Sequence, residues 1–269
     1  MSSDINALEP FRQMILEGGF PQVLYKYRNF EAAKKIISNK TMYFASPDSF
    51  NDPFDCNLSE VAQHTELELY NYFQEIYKKY PVMDEKLVEA LEHYVSLTHR
   101  IKDDPTIMKP ILEKVRAKEL NSKGLLCLSQ TKDSILMWSH YAANHKGIVL
   151  GFDVLSDLNF FLVPLRVNYV ECYEPINYLT NRELAIEKIL TTKSKQWEYE
   201  EEIRILKDDV GSINFNPQAL KEIIFGCKLD ENHVREIQQL CAEANLKHVN
   251  FIQAKICYGK FELEFIPLR

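Results

Sequence analysis

Trp197-Glu198-Tyr199-Glu200-Glu201-Glu202-Ile203-Arg204-Ile205 sets acids, a base and β-branched apolar residues in alternation. As a strand, its period of two puts Glu200, Glu202 and Arg204 on one face and Ile203 and Ile205 on the other, toward a core. Side chains at i, i+2 spacing stand about 7 Å apart, and such a row can stabilise a cationic transition state or position sugar hydroxyls. The other use of the same row is a solvated outer face on which Arg204 compensates the acids.

Further strands are predicted upstream at Val23 to Arg28, Thr41 to Ala45, Leu125 to Ser129 and Ile148 to Phe152. Downstream, Leu220 to Phe225, Val249 to Cys257 and an alternating edge, Phe261 to Pro267, read the same way. Helical spacing marks Phe30 to Asn39, Ser134 to Asn144, Asn181 to Thr191 and His233 to Ala244. Between about Val61 and Asn121 the chain lacks Gly and is rich in Glu, Lys, Leu and Tyr, with Pro81 and Asp104-Pro105 as breaks. Strands and helices without a regular βαβ rhythm predict an α+β fold. It has a mixed or antiparallel β-sheet core, whole or split, with flanking helices. Residues 1–269 form a single domain, and 61–121 an all-helical insertion that packs on the rest, because some 60 residues make a marginal core alone.

Composition narrows the function. The chain of 269 residues carries 39 acidic and 32 basic side chains, a net charge of −7, which argues against broad nucleic-acid binding while leaving room for a local basic patch. No apolar run approaches the ~20 residues of a membrane span, and Met1 to Leu8 lacks a secretion signal, so a cytoplasmic protein with reduced thiols is expected. Six scattered cysteines give neither a disulfide framework nor a zinc site, and no metal is expected. The signatures of zinc proteases, P-loop NTPases, dinucleotide-binding Rossmann folds and α/β-hydrolases are absent. Nothing in the pattern sets an oligomeric state.

Several residues can carry chemistry. Lys26 and Arg28 share a strand face, and the planar Arg fork suits a phosphate or carboxylate. Asn51-Asp52-Pro53-Phe54-Asp55 holds two carboxylates in a proline-stiffened loop, used either to close Asx turns or to face a ligand or metal. Met137-Trp138-Ser139-His140-Tyr141 and His145-Lys146-Gly147 form a second unusual cluster. His140 and His145 lie about 140° apart around a helix, so one helical face cannot chelate a metal through both. Trp138 and Tyr141 have the spacing of core residues.

The ordered set of segments LYKYR (24–28), YFASPDSFNDPFD (43–55), CLSQTKDSILMWSHYAANHKGIVLGFD (127–153), WEYEEEIRIL (197–206) and EIIFGCKL (222–229) resembles a bacterial family of unknown function. Some of its relatives are associated with abortive phage infection (AbiGi-like). The likeness spans Leu24 to Leu229 apart from the insertion. More distantly, Arg28, Ser129 and Glu200-x-Glu202 resemble, in chain order, the strand Arg, strand Ser and Glu-x-Glu of Arg–Ser–Glu ADP-ribosyltransferases. That resemblance implies NAD as a substrate, with Arg28 on the dinucleotide and Tyr27, His140 and Tyr141 beside it. Ser129 would brace the glutamate or the nicotinamide ribose. Glu202 would stabilise an oxocarbenium-like transition state, and Glu200 would orient an acceptor whose identity the resemblance does not give. Leu128-Ser129-Gln130 replaces the usual Ser-x-Ser, and Arg204 stands two residues past Glu202. A magnesium-dependent nuclease using Asp52, Asp55, Glu200 and Glu202, and a non-catalytic anion sensor using Arg28 and Lys146, are the competing expectations.

Overall fold

Val23–Arg28 (β1) forms a strand because β-branched and aromatic residues alternate with Leu24, Lys26 and Arg28. Asn29 ends it, its side chain accepting from Ala32 N, and starts α2 (Phe30–Asn39). The computed structural model describes residues 5–79, 96–97, 99–101 and 104–268. The remaining strands are β2 (Thr41–Phe44), β3 (Gly124–Ser129), β4 (Ile148–Asp153), β5 (Pro164–Arg166), β6 (Asn168–Val170) and β7 (Thr192–Ser194). They are followed by β8 (Glu202–Lys207), β9 (Gly211–Asn214), β10 (Leu220–Phe225), β11 (Asn250–Ile256) and β12 (Leu263–Pro267). The longer helices are α1 (Ile5–Leu16), α3 (Glu66–Lys79), α4 (Met108–Leu120), α5 (Ile135–Tyr141), α6 (Arg182–Thr191) and α7 (Glu231–Glu243).

Contacts divide the chain into two units: residues 1–46, 123–169 and 195–269, and residues 47–122 and 170–194. The second is wider than the insertion read from sequence. In the first, eight strands run in the order β12-β11-β10-β4-β1-β3-β8-β5. Only β10 and β11 pair in parallel, so the sheet is mixed and mostly antiparallel, as an α+β fold requires.

The two middle strands barely touch. β1 pairs with β4 through six residue pairs, but meets β3 at one, Tyr25 with Ser129. β3 and β8 again pair along six residues. The sheet is therefore nearly divided between β1 and β3.

Apolar side chains cover both faces. One carries Leu24, Leu126, Leu128, Leu150, Ile203 and Ile205 under Phe11 of α1, Ile37 of α2 and Ile237 of α7. The other packs Tyr27, Val149 and Ile224 against Met137 and Trp138 of α5. Helix α1 has no counterpart in the sequence reading, since Pro10 inside it obscures the spacing of Phe11 and Ile15.

In the second unit, Asp104 caps the Pro105–Ile107 turn by accepting from Thr106 N, as the Asp-Pro pair predicts. Glu60 is buried there with Arg116 at 3.1 Å, and Tyr178 N donates to its other oxygen at 2.8 Å. The expected break at Pro81 lies outside the described residues. Among the described residues no helix is long and apolar enough to cross a membrane.

Candidate functional site

Register builds a polar patch on the α5 face of the sheet. Ser129 stands opposite Glu202, and Cys127 opposite Arg204, so all four share one face of β3 and β8. Tyr25 continues the row across the single β1–β3 pair. The patch is not the solvated face that alternation allows. Glu200 and Glu202 are each 4% exposed, and Arg204 is fully buried.

Burial makes the pairing decisive. Arg204 Nε donates to Glu202 Oε1 at 2.9 Å, and Arg204 Nη2 to Oε2 at 3.1 Å, the bidentate geometry that Arg alone offers. Glu202 N donates to the Tyr169 hydroxyl at 2.8 Å. The carboxylate that the sequence nominates for transition-state stabilisation thus already has a fixed counter-ion.

Glu200 is not on the strand. It closes a 3₁₀ turn (Lys195–Glu200), and Glu201 takes a left-handed φ of 44° before β8 opens at Glu202. This corrects the expectation of one strand through Glu200, Glu202 and Arg204: the left-handed residue breaks the period of two between the glutamates. Both ends of that break are held. The Ser129 hydroxyl donates to Glu200 O at 2.7 Å, and Gln130 N to Glu201 O at 3.0 Å. Ser129 therefore braces the backbone of the Glu-x-Glu segment. The Tyr141 hydroxyl, at the end of α5, donates to Glu200 Oε1 at 2.6 Å.

Helix α5 is shorter than its spacing predicts. Ser134 caps it, accepting from Met137 N, but Ala143, Asn144 and His145 all have positive φ and turn the chain back, with His145 N donating to Trp138 O. His140 is exposed at its end, with Nδ1 2.9 Å from the Tyr199 hydroxyl. His145 Nε2 instead faces Ser139 Oγ at 3.1 Å, so the two histidines serve different neighbours. Trp138 is fully buried and donates Nε1 to Lys132 O at 2.8 Å. Tyr27 is 2% exposed, edge-on to Trp138, and donates its hydroxyl to Thr131 O at 2.9 Å. Burial raises the Tyr27 hydroxyl well above the usual tyrosine range. It is a core residue of the site's floor.

The cations of β1 differ from Arg204. Arg28 is half-buried, and its guanidinium donates to Tyr27 O at 3.3 Å. Burial lowers its pKa. Lys26, 7% exposed, donates its ammonium to Cys127 O across the gap between β1 and β3. Sequence reasoning noted Lys26 only as a neighbour of Arg28, because nothing in VLYKYR signals that β1 leaves β3. Burial first, and Arg28 next, lower Lys26 to about 7, while Cys127, Glu202 and Glu200 pull it the other way. Lys26 thus stands within electrostatic reach of both the guanidinium and the glutamates. Burial and the charge of Glu202 push the Cys127 thiol well up, so it is not a ready nucleophile.

Other nominated residues lie elsewhere. Lys146 lines an open cavity of about 500 Å³ with Asn29, Phe30, Lys228, Leu229 and His233, which Arg28 does not line. Asn51, Asp52 and Asp55 belong to the second unit. Asp52 closes an Asx turn, accepting from Phe54 N at 2.9 Å, and Asp55 is buried with Lys193 at 3.3 Å. Among the described residues, no group of three or more His, Cys, Asp or Glu is arranged to hold a metal. The four-carboxylate magnesium reading gains no support from them.

A family model described as a protein of unknown function (DUF2971) matches residues 137–205. That span takes in α5 from Met137 on, the 3₁₀ turn and the start of β8, including Tyr141, Glu200, Glu202 and Arg204, and does not reach Lys26, Arg28 or Ser129. No curated protein and no solved structure matches the chain.

Proposed function

We propose that this chain consumes NAD as an ADP-ribosyltransferase-like or NAD glycohydrolase-like protein, working across the gap between β1 and β3, with Arg28 on the α1 and α2 face of the sheet and Ser129 and Glu202 on the α5 face. One observation supports the reading above the others. Arg28, Ser129 and Glu202, far apart in sequence, come from three neighbouring strands, and the Ser129 hydroxyl holds the backbone of Glu200 at 2.7 Å. On this reading Arg28 binds the diphosphate. Ser129 braces the glutamate segment, and Tyr141 sets the Glu200 carboxylate for an acceptor or water. As nicotinamide departs, positive charge grows on the ribose, and a fixed carboxylate in a water-poor site lowers that barrier. Glu202 takes that role to the extent that substrate draws it from Arg204. A cytoplasmic, toxin-like role in phage defence is the biological setting that goes with this chemistry.

A second reading has its own support. The bidentate Glu202–Arg204 pair already compensates the carboxylate, which suits a module that binds an anionic ligand without turnover. Purified protein incubated with NAD, with nicotinamide release followed, separates the two. The transferase reading expects release that falls at least about a hundredfold in Glu202→Gln or Glu200→Gln, on the scale of a lost electrostatic stabiliser. Thermal stabilisation by NAD without nicotinamide release favours the second reading. Neither release nor stabilisation defeats both.

A further inference from the structure

Lys26 and Arg28 lie on a face otherwise lined by Leu24, Leu126, Leu128 and Leu150, and among the described residues neither makes an ion pair with a carboxylate. Their own hydrogen bonds go to two backbone carbonyls, Cys127 O and Tyr27 O. At i, i+2 on one strand, the two positive groups reinforce each other's cost, about 7 Å apart. A buried amine without an ion pair, two residues from a half-buried guanidinium, is expensive, and a packing role at this position would be met by an apolar side chain. The nearest acids, Glu202 and Glu200, are engaged by Arg204 and Tyr141. The arrangement lacks a negative charge on the β1 side of the gap.

We propose that Lys26 and Arg28 together form a subsite for a phosphate or diphosphate group where β1 separates from β3, with Arg28 touching the anion and Lys26 acting behind it as a positioning charge. This deepens the NAD reading by naming a second group for the diphosphate, yet it requires only binding. Arg28, partly exposed, meets the ligand with its fork. Lys26 is buried behind it, so it works through the field and through its hold on the Cys127 carbonyl. The charged or titratable groups around it are Arg28 on β1, Cys127 on β3, Glu202 on β8 and Glu200 in the preceding turn, with Arg204 acting on Cys127.

Inorganic pyrophosphate and sulfate, titrated by calorimetry against the full chain, test this. Sulfate keeps its charge between pH 6 and 9, so any change in its affinity over that range reports on the protein. An anion at Arg28 favours protonated Lys26, and one pKa unit of coupling is tenfold in affinity, so sulfate binding weakens about tenfold as pH rises through this range. Lys26→Met is expected to weaken pyrophosphate about tenfold at pH 6 and to flatten the sulfate profile, while Lys26→Arg keeps the affinity and also flattens it. Lys228→Met, at the neighbouring cavity, changes neither. The proposal is overturned if the folded wild type binds neither anion, if its sulfate affinity does not change with pH, or if Lys26→Met leaves affinity and profile as they were. NAD cleavage with unchanged binding in Lys26→Met sinks this subsite and spares the transferase reading. Lys26-dependent pyrophosphate binding without NAD cleavage does the reverse.

Discussion

Replacing Arg204 with Met should be among the most damaging single changes on β8. Arg204 is fully buried and gives both oxygens of Glu202 a donor, at 2.9 and 3.1 Å. Met fills much of the same space but takes from a carboxylate, itself 4% exposed, the guanidinium that binds both its oxygens. Breaking a buried pair from one side costs about 3–5 kcal/mol, most of it the uncompensated charge. In a unit of about 170 residues each kcal/mol moves the melting point by about 2–4 °C, so a fall of about 10 °C is expected. The double variant Glu202→Gln/Arg204→Met removes both charges and should recover at least about 2 kcal/mol of that loss. Arg204→Lys keeps the charge without the fork and should fall between. Urea unfolding of the wild type, Arg204→Met, Glu202→Gln and the double variant at pH 7.5, with slopes checked for equality, gives the cycle. A single-variant cost under about 1 kcal/mol, with no coupling in the cycle, would show the pair to be solvated and would refute this reasoning. The same cycle calibrates any loss of NAD turnover in Glu202→Gln, because that change also disturbs the pair.

Tyr141→Phe removes the 2.6 Å bond to Glu200 and should cost about 1.5–3 kcal/mol in urea unfolding, the range for a hydrogen bond to a charged group. Ser129→Ala loses the bond to Glu200 O and should cost about 1 kcal/mol; it also frees Thr131 N, whose amide exchange should quicken. Burial lowers Lys26 from 10.5 to about 7, so between those values the unfolded chain holds a proton that the folded one lacks. Stability should therefore rise with pH from 7.5 to 9.5 at up to about 1.4 kcal/mol per unit, and unfolding of Lys26→Met should lack that rise. A Cβ on Gly147 would stand 2.3 Å from Arg28 O and 2.7 Å from Ala142 O, so Gly147→Ala should lower the melting point by an amount equivalent to about 1–3 kcal/mol.

The elements that sequence rendered well are those whose ends carry their own chemistry. β1 and α2 match their expected bounds because an aromatic, β-branched run meets an Asn whose side chain caps the next helix. The break before Glu202 was not legible, since Glu201 has no intrinsic liking for a left-handed φ; tertiary bonds from Ser129 and Gln130 impose it. Helix α5 stops early for a similar reason, where Gly147 must pass close to the backbone of Arg28. Alternation correctly put Glu202 and Arg204 on one face, but it cannot say whether a face is wet. Here α5 covers that side of the sheet, and the row became a buried ion pair.

The division of the sheet gives the two ends of the site different electrostatics. On β8, Arg204 and Glu202 neutralise each other two residues apart, so the Glu-x-Glu-x-Arg run carries its own counter-ion and is stable without a ligand. On β1, Lys26 and Arg28 make no ion pair among the described residues, so that strand gains most from an anion. Binding strength should then follow β1, whereas turnover, if the chain has it, should follow Glu200, Glu202 and Tyr141. A change on β1 is expected to move affinity and leave chemistry per bound molecule intact; a change near the glutamates is expected to do the opposite. Kinetics in which both sets of variants altered only the same parameter would mean that the two strands do not serve one ligand. In that case the adjacency of β1, β3 and β8 would be a consequence of how the sheet folds.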